Sequence, residues 1–310
     1  MNSIGKTIRS MPGGKFEERF QEITKEVLKN PRVQSFLSSK PEITSEQLNR
    51  GINELFQYQT QWNNCDKCPG LDACPNIMKG YQPFLSLYRN DLHLEYQMCP
   101  LLRKDNTRKR QASLIQSLYI PKEMTTATFD DVHEDNTRAK AISKAMEFTV
   151  HVNPGESGQG LFVYGPFGVG KTFLMGAIAN ELAERNIQTM IVYAPDFFRE
   201  LKNGIQDGSY QQKLEVVKRS PVLILDDIGA ETMSNWIRDD ILGALLQYRM
   251  MEKLPTLYTS NFDLDELEHH LSYTQRGGVE KMDQLKAKRI MERIRYLNEV
   301  IEMKGVNKRA

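Results

Sequence analysis

Gly165-Pro166-Phe167-Gly168-Val169-Gly170-Lys171-Thr172 has the spacing G-x-x-x-x-G-K-T, the pattern of a loop that cradles phosphates. The glycines free the backbone to fold into a nest whose N–H groups point inward at anionic oxygens. A helix opening at Lys171 adds its positive dipole end. In such a loop Lys171 reaches the β- and γ-phosphates of ATP, and the Thr172 hydroxyl sits on Mg²⁺. The apolar run Leu161-Phe162-Val163-Tyr164 before the loop reads as a short buried strand, and Phe173 to Leu182 after it reads as a helix. That strand–loop–helix context separates the pattern from a chance match.

A second set of residues completes the chemistry. Pro221-Val222-Leu223-Ile224-Leu225-Asp226-Asp227 is an apolar run ending in two carboxylates. A buried strand would carry Asp226 to its C-terminal end, the edge where open α/β sheets bind ligands. Asp226 would then complete the Mg²⁺ shell begun by Thr172, and Asp227 would orient or deprotonate an attacking water. The alternative for this pair is a solvated turn with a helix cap. The strand Thr256 to Thr259 runs into Ser260-Asn261 at the same edge, where Asn261 could position that water; an Asn after a strand is otherwise a turn former. Arginines follow at Arg276, Arg289, Arg293 and Arg295. A guanidinium from a neighbouring subunit can neutralise the charge of a transferring phosphoryl group, an effect of about 10³–10⁵ in rate. Arg289 and Arg293 lie four apart, on one helix face.

All four cysteines fall between positions 65 and 99. Cys65-x₂-Cys68 is a knuckle, and Cys74 and Cys99 bring the set to the number a tetrahedral Zn²⁺ takes. Pro69, Pro75 and Pro100 stiffen the turns that such an ion would clamp. Disulfides and four free thiols are the alternatives. A Cys₄ site would be structural, because four protein ligands leave no open coordination position.

These residues need elements to position them. The chain has 310 residues, about two domains on the usual length prior. Its net charge is +1, so no global field draws in nucleic acid and any such contact needs a local basic patch. The N-terminus is polar without a signal core, and no apolar run reaches membrane-spanning length. A cytoplasmic location with no membrane partner is the expectation. Phe16, Phe20, Ile23 and Val27 share one helical face, and a second helix begins after Thr44 with Leu48, Ile52, Leu55 and Phe56 on one side. Residues 103–110 hold five positive charges, one negative and no apolar side chain, which reads as a linker. Ala112 to Tyr119 reads as an amphipathic segment ended by Pro121. Beyond about 120 come candidate strands Gly160–Tyr164, Thr189–Tyr193, Val222–Leu225, Thr256–Thr259 and Val300–Met303, separated by helical patterns. That alternation predicts a parallel sheet covered on both faces. The expected organisation is a small, mostly helical zinc-binding domain at 1–102, a basic linker at 103–120, and an α/β nucleotide-binding domain at 121–310.

Taken together, the loop at 165–172, the LILDD strand, Thr259-Ser260-Asn261 and Arg289-Ile290-Met291-Glu292-Arg293-Ile294 resemble the AAA+ ATPases of the bacterial initiator and helicase-loader branch. Thr128-Phe129-Asp130-Asp131-Val132 looks like the segment such proteins place near the base. The cysteine-bearing N-terminus and Ser272-Tyr273-Thr274-Gln275-Arg276-Gly277 extend the likeness to the primosomal helicase loaders of low-GC Gram-positive bacteria, over the whole chain. The resemblance implies an AAA+ P-loop sheet, with Arg293 as a trans-acting finger and Arg309 as a cis sensor of nucleotide. It implies a helical insertion at Phe197 to Lys218 that offers Phe197, Phe198, Arg199 and Lys202 to a DNA strand, the rings by stacking and the cations by tracking phosphates; the alternative is a core-packing helix with a wet face. It also implies a zinc site among the cysteines. Some loaders use a histidine there; Gln82 stands where one would suit, which favours Cys₄ and leaves His93 in reserve.

No Ser–His–Asp arrangement or second cofactor loop marks a metabolic site, so the ATPase is expected to act on macromolecules. The implied partners are a hexameric replicative DNA helicase gripped by the N-terminal domain, single-stranded DNA, and further copies of the ATPase domain. Two other readings compete: a transposition-helper ATPase of IstB type, and an ATP-gated adapter in which hydrolysis is incidental.

Overall fold

The computed structural model describes residues 16–89, 91–132, 138–276 and 279–307. Arg309 lies outside the described residues, and so does the side chain of Arg276. The chain divides into two compact units, Met1–Lys109 and Arg110–Ala310.

In the first unit, α1 (Phe16–Lys29), α2 (Pro31–Ser38), α3 (Ser45–Arg50) and α4 (Ile52–Asp66) precede a hairpin of β1 (Tyr81–Tyr88) and β2 (Asp91–Met98). Asn30 starts α2 by accepting the Arg32 N–H at 3.0 Å. Thr44 and Gln47 form a reciprocal capping box at the start of α3, satisfying two backbone donors that a helix end otherwise strands. Val27, Val33, Ile52, Leu55 and Leu92 make the buried core, with the expected Phe20, Ile23, Leu48 and Phe56 packed against it. The antiparallel hairpin, with Leu85 opposite Leu94 and Leu87 opposite Leu92, departs from the mostly helical expectation. Its sequence carries the period-two alternation of a half-buried strand, in Leu85-Ser86-Leu87 and Leu92-His93-Leu94. Helix α4 lies against it: the Trp62 indole donates to the Pro83 carbonyl at 3.0 Å, and the Gln61 amide donates to the Tyr96 hydroxyl at 2.9 Å.

Residues 103–118, expected as linker, are ordered elements. Helix α5 (Pro100–Leu114) opens with Pro100 and runs through the basic stretch, and β3 (Ile115–Leu118) follows. Proline suits the first helical turn, and Arg, Lys and Gln are good helix formers, so the charge run is a solvated helix rather than a coil. The amphipathic segment therefore splits: its first residues finish α5, and the rest pair in parallel with the second expected strand.

In the second unit, β3, α6 (Lys122–Thr125), α7 (Ala139–His151), β4 (Gly160–Tyr164), α8 (Lys171–Glu184), β5 (Thr189–Tyr193), α9 (Ala194–Asn203), α10 (Tyr210–Arg219) and β6 (Val222–Asp226) follow in order. A π-helical turn at Trp236–Leu242 leads into α11 (Gly243–Met251), β7 (Thr256–Ser260) and α12 (Leu264–Ser272). A small antiparallel pair, β8 (Tyr273–Arg276) and β9 (Val279–Met282), then α13 (Gln284–Leu297) and β10 (Asn298–Glu302) complete it. The six-stranded sheet has the order β10-β4-β7-β6-β5-β3, every neighbour parallel. Alternate residues feed two cores. Phe162, Met190, Val192, Leu223, Leu225 and Tyr258 pack with Phe197, Phe198, Leu201, Ile241 and Ile290. Leu161, Val163, Ile191, Val222, Ile224 and Leu257 pack with Ala141, Ala145, Leu174, Ile178 and Leu182. A strand buried on both faces must read as a continuous apolar run, as these strands do. The α/β expectation of a parallel sheet with helices on both faces holds.

Candidate nucleotide-binding site

The strand order sets the site. β7 lies between β4, which feeds the phosphate loop, and β6, which ends in Asp226. Whatever follows β7 is therefore delivered between the loop lysine and the paired carboxylates. Asn261 is that residue. Its side-chain oxygen accepts from Lys171 Nζ at 2.8 Å, and its Nδ2 donates to Asp227 Oδ1 at 2.6 Å. Lys171 Nζ also donates to the carbonyls of Gly165 and Pro166 at 2.7 and 2.9 Å. The ammonium is thus held low over its own loop by three acceptors.

Thr172 and Asp226 converge as expected, with the Thr172 hydroxyl donating to Asp226 Oδ1 at 2.9 Å. Asp226 is only 3% exposed. Burial pushes its carboxyl group up from the ordinary range, against the hydrogen bonds from Thr259 and Thr172. A buried carboxylate beside a hydroxyl is a hard-oxygen pair suited to Mg²⁺, and a divalent cation there would offset the cost of burying the charge.

Two residues with a part in the site were not singled out from sequence for it. Thr259 Oγ1 donates to Asp226 Oδ1 at 2.6 Å and accepts the Asp227 N–H at 2.8 Å, so one hydroxyl ties both carboxylate residues to β7. Tyr193 ends β5 directly beside Asp226 in the sheet register, and its hydroxyl reaches Asp227 Oδ2 at 3.5 Å. The signal for Tyr193 was its strand-end position, one strand over from the aspartates.

The loop lines a cavity of about 620 Å³ that also takes in Tyr119, Ile120, Val132, Arg138, Tyr193, Asp226, Asp227, Asn261 and Met303. Gly168 and Gly170 have φ of +75° and +98°, a backbone region that side chains disfavour. Gly165 and Gly168 also admit a close neighbour. A methyl group on Gly165 would overlap the Met303 carbonyl oxygen, and one on Gly168 would overlap the Asn307 side chain. Residues 303–307 therefore lie directly on the phosphate loop. Arg138, buried, holds them by donating to the Val306 carbonyl at 3.3 Å. Phe167 is 70% exposed.

Other expected residues fall elsewhere. Phe197 and Phe198 are 1% and 0% exposed and belong to the core beneath the sheet, so they are not available to stack on bases; Arg199 and Lys202 remain on the exposed side of α9. The aromatic pair is what anchors α9, whose apolar face has to go inward. Arg293 is half-buried and donates to the Gly243 carbonyl at 3.2 Å, whereas Arg289 is exposed. Arg295 is tied to Asp265 and Glu268 at 2.7 and 3.0 Å, and Thr128 to Asp131 forms a capped single turn.

In the first unit no two of the four cysteines are joined by a disulfide. The Asn76 amide donates to Cys65 Sγ at 3.2 Å, the Gly80 N–H to Cys74 Sγ at 3.4 Å, and the Leu102 N–H to Cys99 Sγ at 3.3 Å. Gln82 also bonds Cys65, whose thiol is pushed up by burial. The Cys99 N–H donates to the Gly80 carbonyl at 2.8 Å, bringing the distant cysteine beside the Cys74 turn. Among the described residues, no three His, Cys, Asp or Glu side chains are already gathered at metal distance. His93 pairs with Ser86 toward the hairpin tip and meets Tyr88 edge to face. Cys99 follows the opposite end, so His93 is not placed to join the cysteines.

The fold and this site define an ATP-binding domain of the AAA+ class, and residues 91–310 match the family described as IstB-like ATP binding protein. Residues 1–96 match the Primosomal protein DnaI N-terminus. The replicative helicase loader DnaI of Bacillus subtilis (strain 168) is 42% identical over 100% of this chain and 99% of its own length. A crystal structure of DnaI is 50% identical, covering 64% of this chain and 99% of that one, with a TM-score of 0.56. The crystal structure of the DnaC helicase loader is 27% identical over 59% of this chain and 100% of that one, with a TM-score of 0.50. The chain belongs to the DnaI family of replicative helicase loaders.

Proposed function

We propose that this protein is an Mg²⁺-dependent ATPase that grips the hexameric replicative helicase through its N-terminal unit and helps place it on single-stranded DNA at initiation or restart of replication. One observation carries the reading: a DnaI-type N-terminus precedes a phosphate loop, a buried aspartate and a bridging asparagine in the same chain. The IstB-like match spans only the ATP-binding part, and the DnaI N-terminus is what separates a loader from a transposition helper.

Lys171 would leave its three acceptors for the phosphates, and Asn261, released from it, would stay on Asp227. Asp227 would then take the proton of an attacking water that Asn261 positions. Thr172 and Asp226 would hold Mg²⁺, which when bound neutralises charge on the phosphoryl oxygens. Arg293 would act on the site of a neighbouring copy after leaving the Gly243 carbonyl, and Arg309 would sense the nucleotide of its own. Self-association would thus follow nucleotide state. Cys65, Cys68, Cys74 and Cys99 would hold a structural Zn²⁺, closing about the ion; amide N–H groups already aimed at three of the sulfurs suit thiolate ligands. DNA contact rests on cations such as Arg199 and Lys202, so affinity should fall with salt. A cytoplasmic setting fits this role; among the described residues no helix is long and apolar enough to cross a membrane.

The test mixes the full chain with its cognate helicase and single-stranded DNA, with ATP, and weighs the products. A helicase complex that delivers the ring to DNA is expected. No association with the helicase, or equal association with a transposase, overturns the loader. Asp227→Asn separates the adapter reading: loading that persists while turnover is abolished makes hydrolysis incidental.

A further inference from the structure

Asp227 stands at φ +59°, a left-handed conformation that strains a non-glycine residue and lasts only where its surroundings enforce it. The turn that follows is fastened at four points. Ile228 N–H donates to the Thr259 carbonyl at 2.9 Å, and the Ser260 hydroxyl to the Ile228 carbonyl at 2.7 Å. Ala230 N–H donates to the Asp227 carbonyl at 3.3 Å. The fourth point is a side chain: Gly229 N–H donates to Glu231 Oε2 at 2.9 Å.

Glu231 is only 6% exposed, and its other oxygen is buried without a hydrogen-bond partner. An unsatisfied buried carboxyl oxygen is costly and calls for a reason. The surroundings come from two further segments. Phe262 would collide with any side chain at Gly229, so the turn is pressed against the residue after Asn261. From α12, the His270 ring bonds the Glu231 backbone and packs at 5.6 Å on Phe262. Its Nε2 is buried without a partner as well. The charged or titratable groups facing Glu231 are thus Asp227 from its own turn and His270 from α12, with His269 acting on His270.

We propose that Glu231 is a positioning residue for ATP hydrolysis: its carboxylate locks the left-handed turn that aims Asp227 at the nucleotide. Glu231 touches neither nucleotide nor metal ligand. It acts through the Gly229 N–H. Burial pushes its carboxyl group up to about 7, with the charge of Asp227 adding to the rise. Around neutrality Glu231 therefore gains or loses its charge. The ionised form makes the stronger bond to Gly229, so turnover should rise as pH climbs through that value. His270 contributes little to that change, because burial holds it neutral.

This inference rests on the proposed hydrolysis at the same site. The test measures ATP turnover and nucleotide affinity of the full chain from about pH 6 to about pH 8.5, for wild type, Glu231→Gln and Glu231→Ala. Thermal melting is followed alongside. Wild-type kcat should rise several-fold across about pH 7, and Glu231→Gln, which keeps an acceptor for Gly229 but no charge, should lose that step. Glu231→Ala should lower kcat about ten-fold with affinity changed less than about two-fold. A Glu231→Gln profile that tracks the wild type overturns the proposal, as does a loss of activity that follows the melting temperature alone. No turnover by wild type at any pH would overturn the hydrolysis reading itself, a result distinct from either.

Discussion

The phosphate site and the cysteine knuckle are built on opposite plans. Around Lys171 the functional groups are fastened to one another: Lys171 to Asn261, Asn261 to Asp227, Thr172 and Thr259 to Asp226. The sheet that carries them is buried on both faces. Around Cys65 three of the four sulfurs, those of Cys65, Cys74 and Cys99, each accept an amide N–H, and no sulfur is bonded to another. Among the described residues the first unit buries five apolar side chains in its core, few for a domain of its size. A site resting on a large core can be complete before its ligand arrives. In a small unit the proposed Zn²⁺ would serve as part of the core.

Chelation should break this contrast most visibly. Removing Zn²⁺ from the full chain should melt the first unit, since structural zinc contributes roughly 10 kcal/mol or more, and leave nucleotide affinity within about two-fold. Circular dichroism with nucleotide titration checks both halves; a first unit that melts unchanged after chelation removes the zinc assignment. Next in size, Lys171→Ala should weaken ATP binding by at least about 100-fold, the loss of a charge-assisted contact in a buried site, with helicase binding retained. Calorimetric titration against ATP is the measurement. Thr259→Val keeps the shape but frees both aspartates from β7, so kcat should drop about ten-fold at nearly constant affinity. Smallest, Thr44→Ala removes the cap of α3 and should cost about 1 kcal/mol, lowering only the transition assigned to the first unit.

Much of the nucleotide site was legible because its chemistry is local. The loop, the apolar run into Asp226 and the placement of Asn261 follow from short motifs and strand ends. Residues that act across the sheet were harder to assign. Thr259 matters because its strand is inserted between the other two, and Tyr193 because it ends beside Asp226. Neither spatial fact is written in neighbouring residues. The hairpin at 81–98 and strand β3 were hidden for different reasons. The hairpin's alternation lies beside the cysteines, whose metal reading dominated. β3 is four residues long and continues a helical pattern, so only pairing with β5 defines it. Phe197 and Phe198 show the reverse error. Aromatic residues next to cations read equally well as a stacking platform or an anchor, and burial decided for the anchor.

Met303 and Asn307 rest on the two glycines that shape the phosphate loop, with Arg138 fastening the stretch between them. Traction at that end of the polypeptide is therefore traction on the loop. An affinity tag fused beyond Asn307 would perturb nucleotide exchange. A fluorophore attached near Asn307 would report loop occupancy by its change in emission.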